Sequence, residues 1–168
     1  MNVDGFEIER RFLISFPDSA LLEKCESSSG IVQTYLKRGN DCDSERVRMR
    51  RFDGGTEYTF TRKRRLSDIR RQEDERLVDE REYNLLLESA DPERRPIEKT
   101  RYCLRHKGQL FEIDVFPFWQ DRAIMEIELT DEKQEVIVPE DIVVFKEITG
   151  DGKYTNSSLA LSIPYEEL

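Results

Sequence analysis

This chain is poor in the side chains from which most active sites are made. Its 168 residues hold a single histidine, His106, which falls in a turn with no second histidine to join it in binding a metal. Its three cysteines, Cys25, Cys42 and Cys103, are odd in number and form no CxxC pair. That argues against a disulfide framework and for a reducing, cytoplasmic setting. No GxxxxGK[ST] loop is present, so a Walker-type nucleotide site is excluded at the level of motif. Long apolar runs are also missing. The start of the chain lacks a signal-peptide stretch, and segments such as Val136 to Val138 and Ile142 to Phe145 are far too short to span a bilayer. Positive charge is in deficit, with 27 Lys plus Arg against 36 Asp plus Glu and a net charge of -9. Such a molecule repels nucleic acid and anionic membrane, so an anionic ligand needs a local basic pocket.

What the chain does have is charge in alternation. Hydrophobic residues make up 37% and charged residues 38%, which implies a modest core, yet the apolar alternation in six or more segments argues against disorder. In an extended strand, Glu7, Glu9 and Arg11 project to one face while Phe6, Ile8 and Phe12 project to the other. Val47-Arg48-Met49-Arg50 sets two guanidiniums against two apolar side chains, and Tyr58 to Lys63 aligns Thr59, Thr61 and Lys63. Ile97 to Arg101 aligns Lys99 with Arg101. Leu110 to Val115 aligns Glu112 with Asp114, and Ile124 to Leu129 aligns Glu126 with Glu128. One charged strand face is ordinary solvent exposure, but several, segregated into acidic and basic strands, imply a sheet curled around something ionic.

Turn and cap signals supply the remaining organisation. Asp53-Gly54-Gly55 and His106-Lys107-Gly108-Gln109 predict hairpins, and Asp18 predicts an N-cap for a short helix with Leu21 and Leu22. Ile31 to Leu36 reads as a strand, residues 71 to 78 as extended with Glu73 and Glu75 on one face, and Asp79 to Ser89 as a helix. The tail predicts a strand over Ile142 to Ile148, a turn over Thr149 to Gly152 and a short helix over Ser157 to Leu161. Arg62 to Arg65 with Arg70 and Arg71 runs into acidic neighbours and reads as a solvated loop. Tyr35 and Tyr102 read as wall packing, and Trp119 as closing a loop at the rim. The expected architecture is a single α+β domain over 1–168, mainly antiparallel β. About eight strands would form a closed tunnel-like barrel, with a few short peripheral helices.

Carboxylates in one region of such a tunnel and Arg/Lys in another suit a metal-bound di- or triphosphate. Carboxylate oxygens take Mg²⁺ or Mn²⁺, and guanidiniums clamp phosphate. Little covalent work then falls to the protein, and no conventional nucleophile is needed.

Glu7-Ile8-Glu9-Arg10-Arg11 resembles the ExExK signature of the CYTH superfamily, the triphosphate tunnel metalloenzymes. The likeness extends through Gln33 to Leu36, Arg48 to Arg50, Thr59 to Lys63, Glu73 to Glu75, Glu98 to Tyr102, Phe111 to Val115, Glu126 to Glu128 and Lys153 to Ala160. The resemblance implies an eight-stranded tunnel and divalent-metal-dependent hydrolysis of inorganic tripolyphosphate or a related small triphosphate, by a monomer or homodimer. It makes Glu7, Glu9, Asp114, Glu126 and Glu128 metal ligands, and Arg11, Arg48, Arg50, Lys63, Lys99, Arg101 and Lys153 phosphate ligands. Lys99, Glu126 and Glu128 would serve catalysis, with Glu73, Glu75 and Glu112 in support. Arg11 stands where the family usually has lysine, an exchange of a point charge for a longer planar fork. Two other readings share the pattern: a class IV-type adenylate cyclase, and a non-catalytic polyphosphate- or nucleotide-binding module.

Overall fold

The computed structural model describes residues 8–39, 42–65 and 71–168. Its strands are β1 (Ile8–Ser15), β2 (Ser27–Tyr35), β3 (Ser44–Phe52), β4 (Gly55–Arg65), β5 (Arg71–Val78), β6 (Ile97–His106), β7 (Gln109–Val115), β8 (Arg122–Leu129) and β9 (Val144–Glu147). Three short helices accompany them, α1 (Ser19–Glu23), α2 (Glu80–Leu87) and α3 (Asn156–Leu159), with a 3-10 turn at Gly152–Tyr154.

Local signals place most of these elements. Asp18 caps α1 by accepting from the Leu21 amide, and Asp79 caps α2 by accepting from the Glu82 amide. The β6–β7 turn puts Lys107 at φ 47° and Gly108 at φ 78°, the left-handed pair that a two-residue hairpin requires. The first helix ends earlier than its sequence suggests. Ser27 to Gly30 are drawn instead into β2, where Ser27 faces Cys103 and Gly30 faces Thr100 on β6.

One antiparallel sheet holds all nine strands in the order β5-β4-β3-β2-β6-β7-β8-β1-β9. The expected closed eight-stranded barrel is therefore corrected: among the described residues the sheet is open, with β5 and β9 as its edges. The reason lies in β9, which takes the outer ladder of β1 by pairing Phe12 with Glu147, Leu13 with Lys146 and Ile14 with Val144. Arg10 and Glu147 lock that edge with two 2.8 Å hydrogen bonds.

Three apolar clusters account for the low hydrophobic fraction. On the convex side, Phe12, Ile14, Leu104, Phe111, Ile113, Met125 and Ile127 pack with Leu21 and Ile142. A second convex cluster sets Leu36, Val47, Met49 and Tyr58 against Tyr83 of α2. The third holds Leu13, Tyr35, Ile97 and Ile124 together with Phe116, Trp119, Ile148, Tyr154 and Leu159. Leu13, Ile97 and Ile124 share alternation parity with the charged residues Arg11, Lys99 and Glu126, so the concave face changes from ionic to apolar along its length. Trp119 is buried within this last cluster, not laid over a rim. Among the described residues no helix is long and apolar enough to cross a membrane.

Candidate active site

The concave face encloses a cavity of about 820 Å³, lined from every strand between β1 and β8 and from Thr155 to Ser157 near the end of the chain. Strand alternation delivers the charges. Glu9 and Arg11 come from β1, Arg46 and Arg48 from β3, Lys63 and Arg64 from β4, Glu73 and Glu75 from β5, Lys99 and Arg101 from β6, Glu112 from β7, and Glu126 and Glu128 from β8.

On β1, β6, β7 and β8 these charges form a closely bonded cluster. Arg101 donates from Nε to Asp114 Oδ1 at 2.7 Å and from Nη2 to Asp114 Oδ2 at 2.8 Å, a bidentate clamp. The same guanidinium reaches Glu126 Oε2 at 3.0 Å and also donates to Glu112. Lys99 Nζ donates to Asp114 Oδ2 at 2.5 Å, and Arg11 Nε to Glu126 Oε1 at 2.8 Å. Burial pushes the Lys99 ammonium down from its ordinary pKa, against the pull of Asp114. For Asp114 burial acts upward, but the adjacent Lys99 and Arg101 outweigh it and hold the carboxyl below the usual range.

On the wall formed by β3, β4 and β5 the arginines are bonded more loosely. Arg46 Nη2 stands 3.4 Å from Glu73, Arg48 Nη2 stands 3.6 Å from Glu75, and Lys63 Nζ stands 2.9 Å from Glu73. Among the described residues, Arg46 Nε, Arg48 Nε and Thr59 Oγ1 are buried without a hydrogen-bond partner. Arg48 is lowered from its ordinary pKa, first by burial and then by the neighbouring Arg46, Arg101 and Arg50, although Glu75 opposes the shift. Crowded guanidiniums that line a cavity give it a locally positive wall.

The sequence-predicted residues fall into three groups. Glu9, Arg11, Arg48, Lys63, Glu73, Glu75, Lys99, Arg101, Glu112, Glu126 and Glu128 line the cavity together. Asp114, expected to bind metal, lies behind the lining at 1% exposure, with both oxygens taken by Lys99 and Arg101. It anchors cations. Arg50 bonds Ser29 Oγ at 3.2 Å and lies over the Phe52 ring, outside the lining, while Lys153 is exposed on the 3-10 turn. Glu7 lies outside the described residues. The sequence assigned no role to Arg46, Gln33 or Asn156, although Gln33 and Asn156 lie in segments that carry the family resemblance. The alternation Arg46-Val47-Arg48-Met49-Arg50 carries the signal for Arg46, one step before the stretch that drew attention.

For a divalent cation the donors are carboxylates, with Glu9 opposite Glu128 and Glu112 opposite Glu126 in register. Among the described residues no three His, Cys, Asp or Glu side chains converge on one point, and Arg11 and Arg101 hold both oxygens of Glu126. The donor chemistry fits a hard cation, which must draw Glu126 away from a guanidinium.

No family model matches the chain. It is 36% identical over 162 residues to an inorganic triphosphatase of Nitrosomonas europaea, covering 94% of this chain and 99% of that protein. It is 33% identical over 165 residues to an inorganic triphosphatase of Acetivibrio thermocellus, covering 96% and 97%. The crystal structure of the inorganic triphosphatase NE1496 superimposes with a TM-score of 0.59 at 34% identity, covering 95% of this chain and 97% of that one. Together with the ionic concave face, these full-length likenesses establish that the chain belongs to the CYTH superfamily, the triphosphate tunnel metalloenzymes.

Proposed function

We propose that this protein is a divalent-metal-dependent triphosphatase that hydrolyses inorganic tripolyphosphate or a related small triphosphate within the charged cavity. The observation that carries this reading is the crowding of Arg46, Arg48 and Lys63 in one wall of a cavity that Glu9, Glu112, Glu126 and Glu128 line from the strands β1, β7 and β8. The names of the two relatives, both inorganic triphosphatases, support it.

Arg46, Arg48 and Lys63 bind phosphate oxygens, exchanging their contacts to Glu73 and Glu75 for charge-assisted hydrogen bonds to the substrate. Lys99 and Arg101 face the same space, held in place by Asp114, and neutralise charge as it develops on the phosphoryl oxygens. Arg11 holds Glu126 in place through its Nε. Glu9, Glu126 and Glu128 would hold Mg²⁺ or Mn²⁺, which when bound supplies Lewis-acid stabilisation of phosphate oxygens.

Incubation with tripolyphosphate and Mg²⁺ or Mn²⁺ is expected to release orthophosphate, and a chelator in excess to stop that release. A substrate panel of tripolyphosphate, thiamine triphosphate, ATP and pyrophosphate with each metal sharpens the test. Cyclic AMP and pyrophosphate from ATP would replace this reading with the cyclase. Binding of tripolyphosphate without turnover under every metal condition would replace it with a binding module.

A further inference from the structure

We infer that Arg11 is an exchangeable counter-ion: it gives up Glu126 to an incoming divalent cation and turns its guanidinium to phosphate, so that cation and polyphosphate bind cooperatively. The inference rests on the triphosphatase reading above, which supplies both ligands, and it assigns the coupling between them to Arg11.

Glu126 lines the cavity with both carboxylate oxygens engaged. Oε1 accepts from Arg11 Nε at 2.8 Å and Oε2 from Arg101 Nη2 at 3.0 Å. A carboxylate already matched by two guanidiniums attracts a further cation weakly, so one of the two must yield before Mg²⁺ or Mn²⁺ can use it. The two are not held alike. Arg101 is clamped by both oxygens of Asp114, which is 1% exposed, and also donates to Glu112. Turning it away would weaken the hold on a buried carboxylate. Among the described residues the Arg11 side chain bonds through Nε to Glu126 Oε1, and its guanidinium faces the cavity.

The root of Arg11 is fixed. Its amide donates to Thr149 Oγ1 at 2.9 Å and its carbonyl accepts from the Ile148 amide at 2.8 Å, both from the segment just after β9. A long side chain on a fixed root can turn without disturbing the sheet.

The destination follows from register. Glu9 precedes Arg11 by two residues on the same face; Glu9 stands opposite Glu128, and Arg11 opposite Glu126. A divalent cation held by these three carboxylates is therefore a neighbour of Arg11. Two positive groups then share one acidic corner and repel each other until an anion contacts both. Phosphate does so, and the planar guanidinium can trade a carboxylate for a phosphate in the same forked geometry, which a lysine cannot. Such coupling is reciprocal: the factor by which phosphate tightens the cation is the factor by which the cation tightens phosphate.

The test is Mn²⁺ binding by the full chain, read from the electron paramagnetic resonance of the free ion, with and without inorganic phosphate and beside protein-free controls at the same phosphate concentration. For wild type, saturating phosphate is expected to tighten Mn²⁺ about tenfold. Arg11→Gln removes the competing guanidinium and is expected to bind Mn²⁺ alone about tenfold more tightly than wild type, with phosphate adding less than about twofold. Arg48→Gln, which removes the same charge from across the cavity, is expected to tighten Mn²⁺ by less than about threefold. Arg11→Gln binding Mn²⁺ no more tightly than wild type overturns the exchange by making Arg11 a support of the cation. Equal tightening in Arg48→Gln overturns it by reducing the effect to net charge. If Arg11→Gln does not fold, wild type decides: a Mn²⁺ affinity that phosphate leaves unchanged overturns the coupling. A wild type that binds no Mn²⁺ under either condition overturns both the coupling and the metal-dependent reading. Since no readout involves turnover, Mn²⁺ binding as expected without release of orthophosphate from tripolyphosphate defeats the triphosphatase reading alone.

Discussion

The same cavity is bounded by two charged regions that treat their ions differently. Around Asp114, contacts are close: Lys99 at 2.5 Å, and Arg101 at 2.7 and 2.8 Å. Across the cavity, Arg46 and Arg48 stand 3.4 and 3.6 Å from Glu73 and Glu75, each with an unpartnered Nε. The carboxylates make the contrast: Asp114 is fixed beneath the surface at 1% exposure, whereas Glu73 and Glu75 stand on the edge strand at 27% and 40%. A buried carboxylate must keep its cations close, whereas a hydrated one can let them go. Lys99 and Arg101 are thus held in fixed positions, whereas Arg46 and Arg48 have weaker contacts to give up to a polyanion.

Breaking the scaffold has the largest expected effect. Asp114→Asn leaves Lys99 and Arg101 without their buried counter-charge and is expected to destabilise the fold by about 3–5 kcal/mol, read by denaturant unfolding, with turnover lost. Next is Glu126→Gln, which weakens the hydrogen bonds from Arg11 and Arg101 and removes a carboxylate from the cation site. It is expected to abolish turnover at unchanged protein concentration, with a destabilisation of about 1–3 kcal/mol by thermal melting. Lys63→Ala, on the loosely bonded wall, is expected to raise KM about tenfold while stability moves by less than about 1 kcal/mol.

The smallest effect belongs to a third ion pair, outside the cavity. Arg10, followed by Thr149, holds the Glu147 carboxyl down at about 2 from an ordinary 4.5. A depressed carboxyl stabilises the folded state fully above pH 4.5, and the gain is lost as pH falls toward 2. Since both side chains are more than a third exposed, solvent screening limits the gain to less than about 1 kcal/mol. Glu147→Gln should flatten that part of the stability profile, measured by unfolding between pH 2 and 5, and leave pH 7 kinetics alone.

Period-two patterning made the strands legible, and with them which charges share a face: Glu9 with Arg11, Lys99 with Arg101, Glu126 with Glu128. Alternation says nothing of which strand takes which edge. The four-residue β9 looked like one more strand of a closed set, yet it captures the outer ladder of β1 and leaves the sheet open. Alternation also does not separate a lining charge from one beneath it: Asp114, which the resemblance makes a metal ligand, lies under the lining with its oxygens on Lys99 and Arg101. Asn156 was illegible for another reason. Its place in the cavity depends on a chain reversal and on the contacts of Arg94 with Ser157 and Tyr35, across 63 residues in the first case.

The most direct test of the central claim, that the loosely bonded wall receives the substrate, is the KM for tripolyphosphate of the double variant Arg46→Gln/Arg48→Gln beside wild type. The expected result is a KM raised about 10²-fold or more at an unchanged melting temperature, as two charge-assisted phosphate contacts are lost. A KM equal to that of wild type in a folded variant would contradict the account.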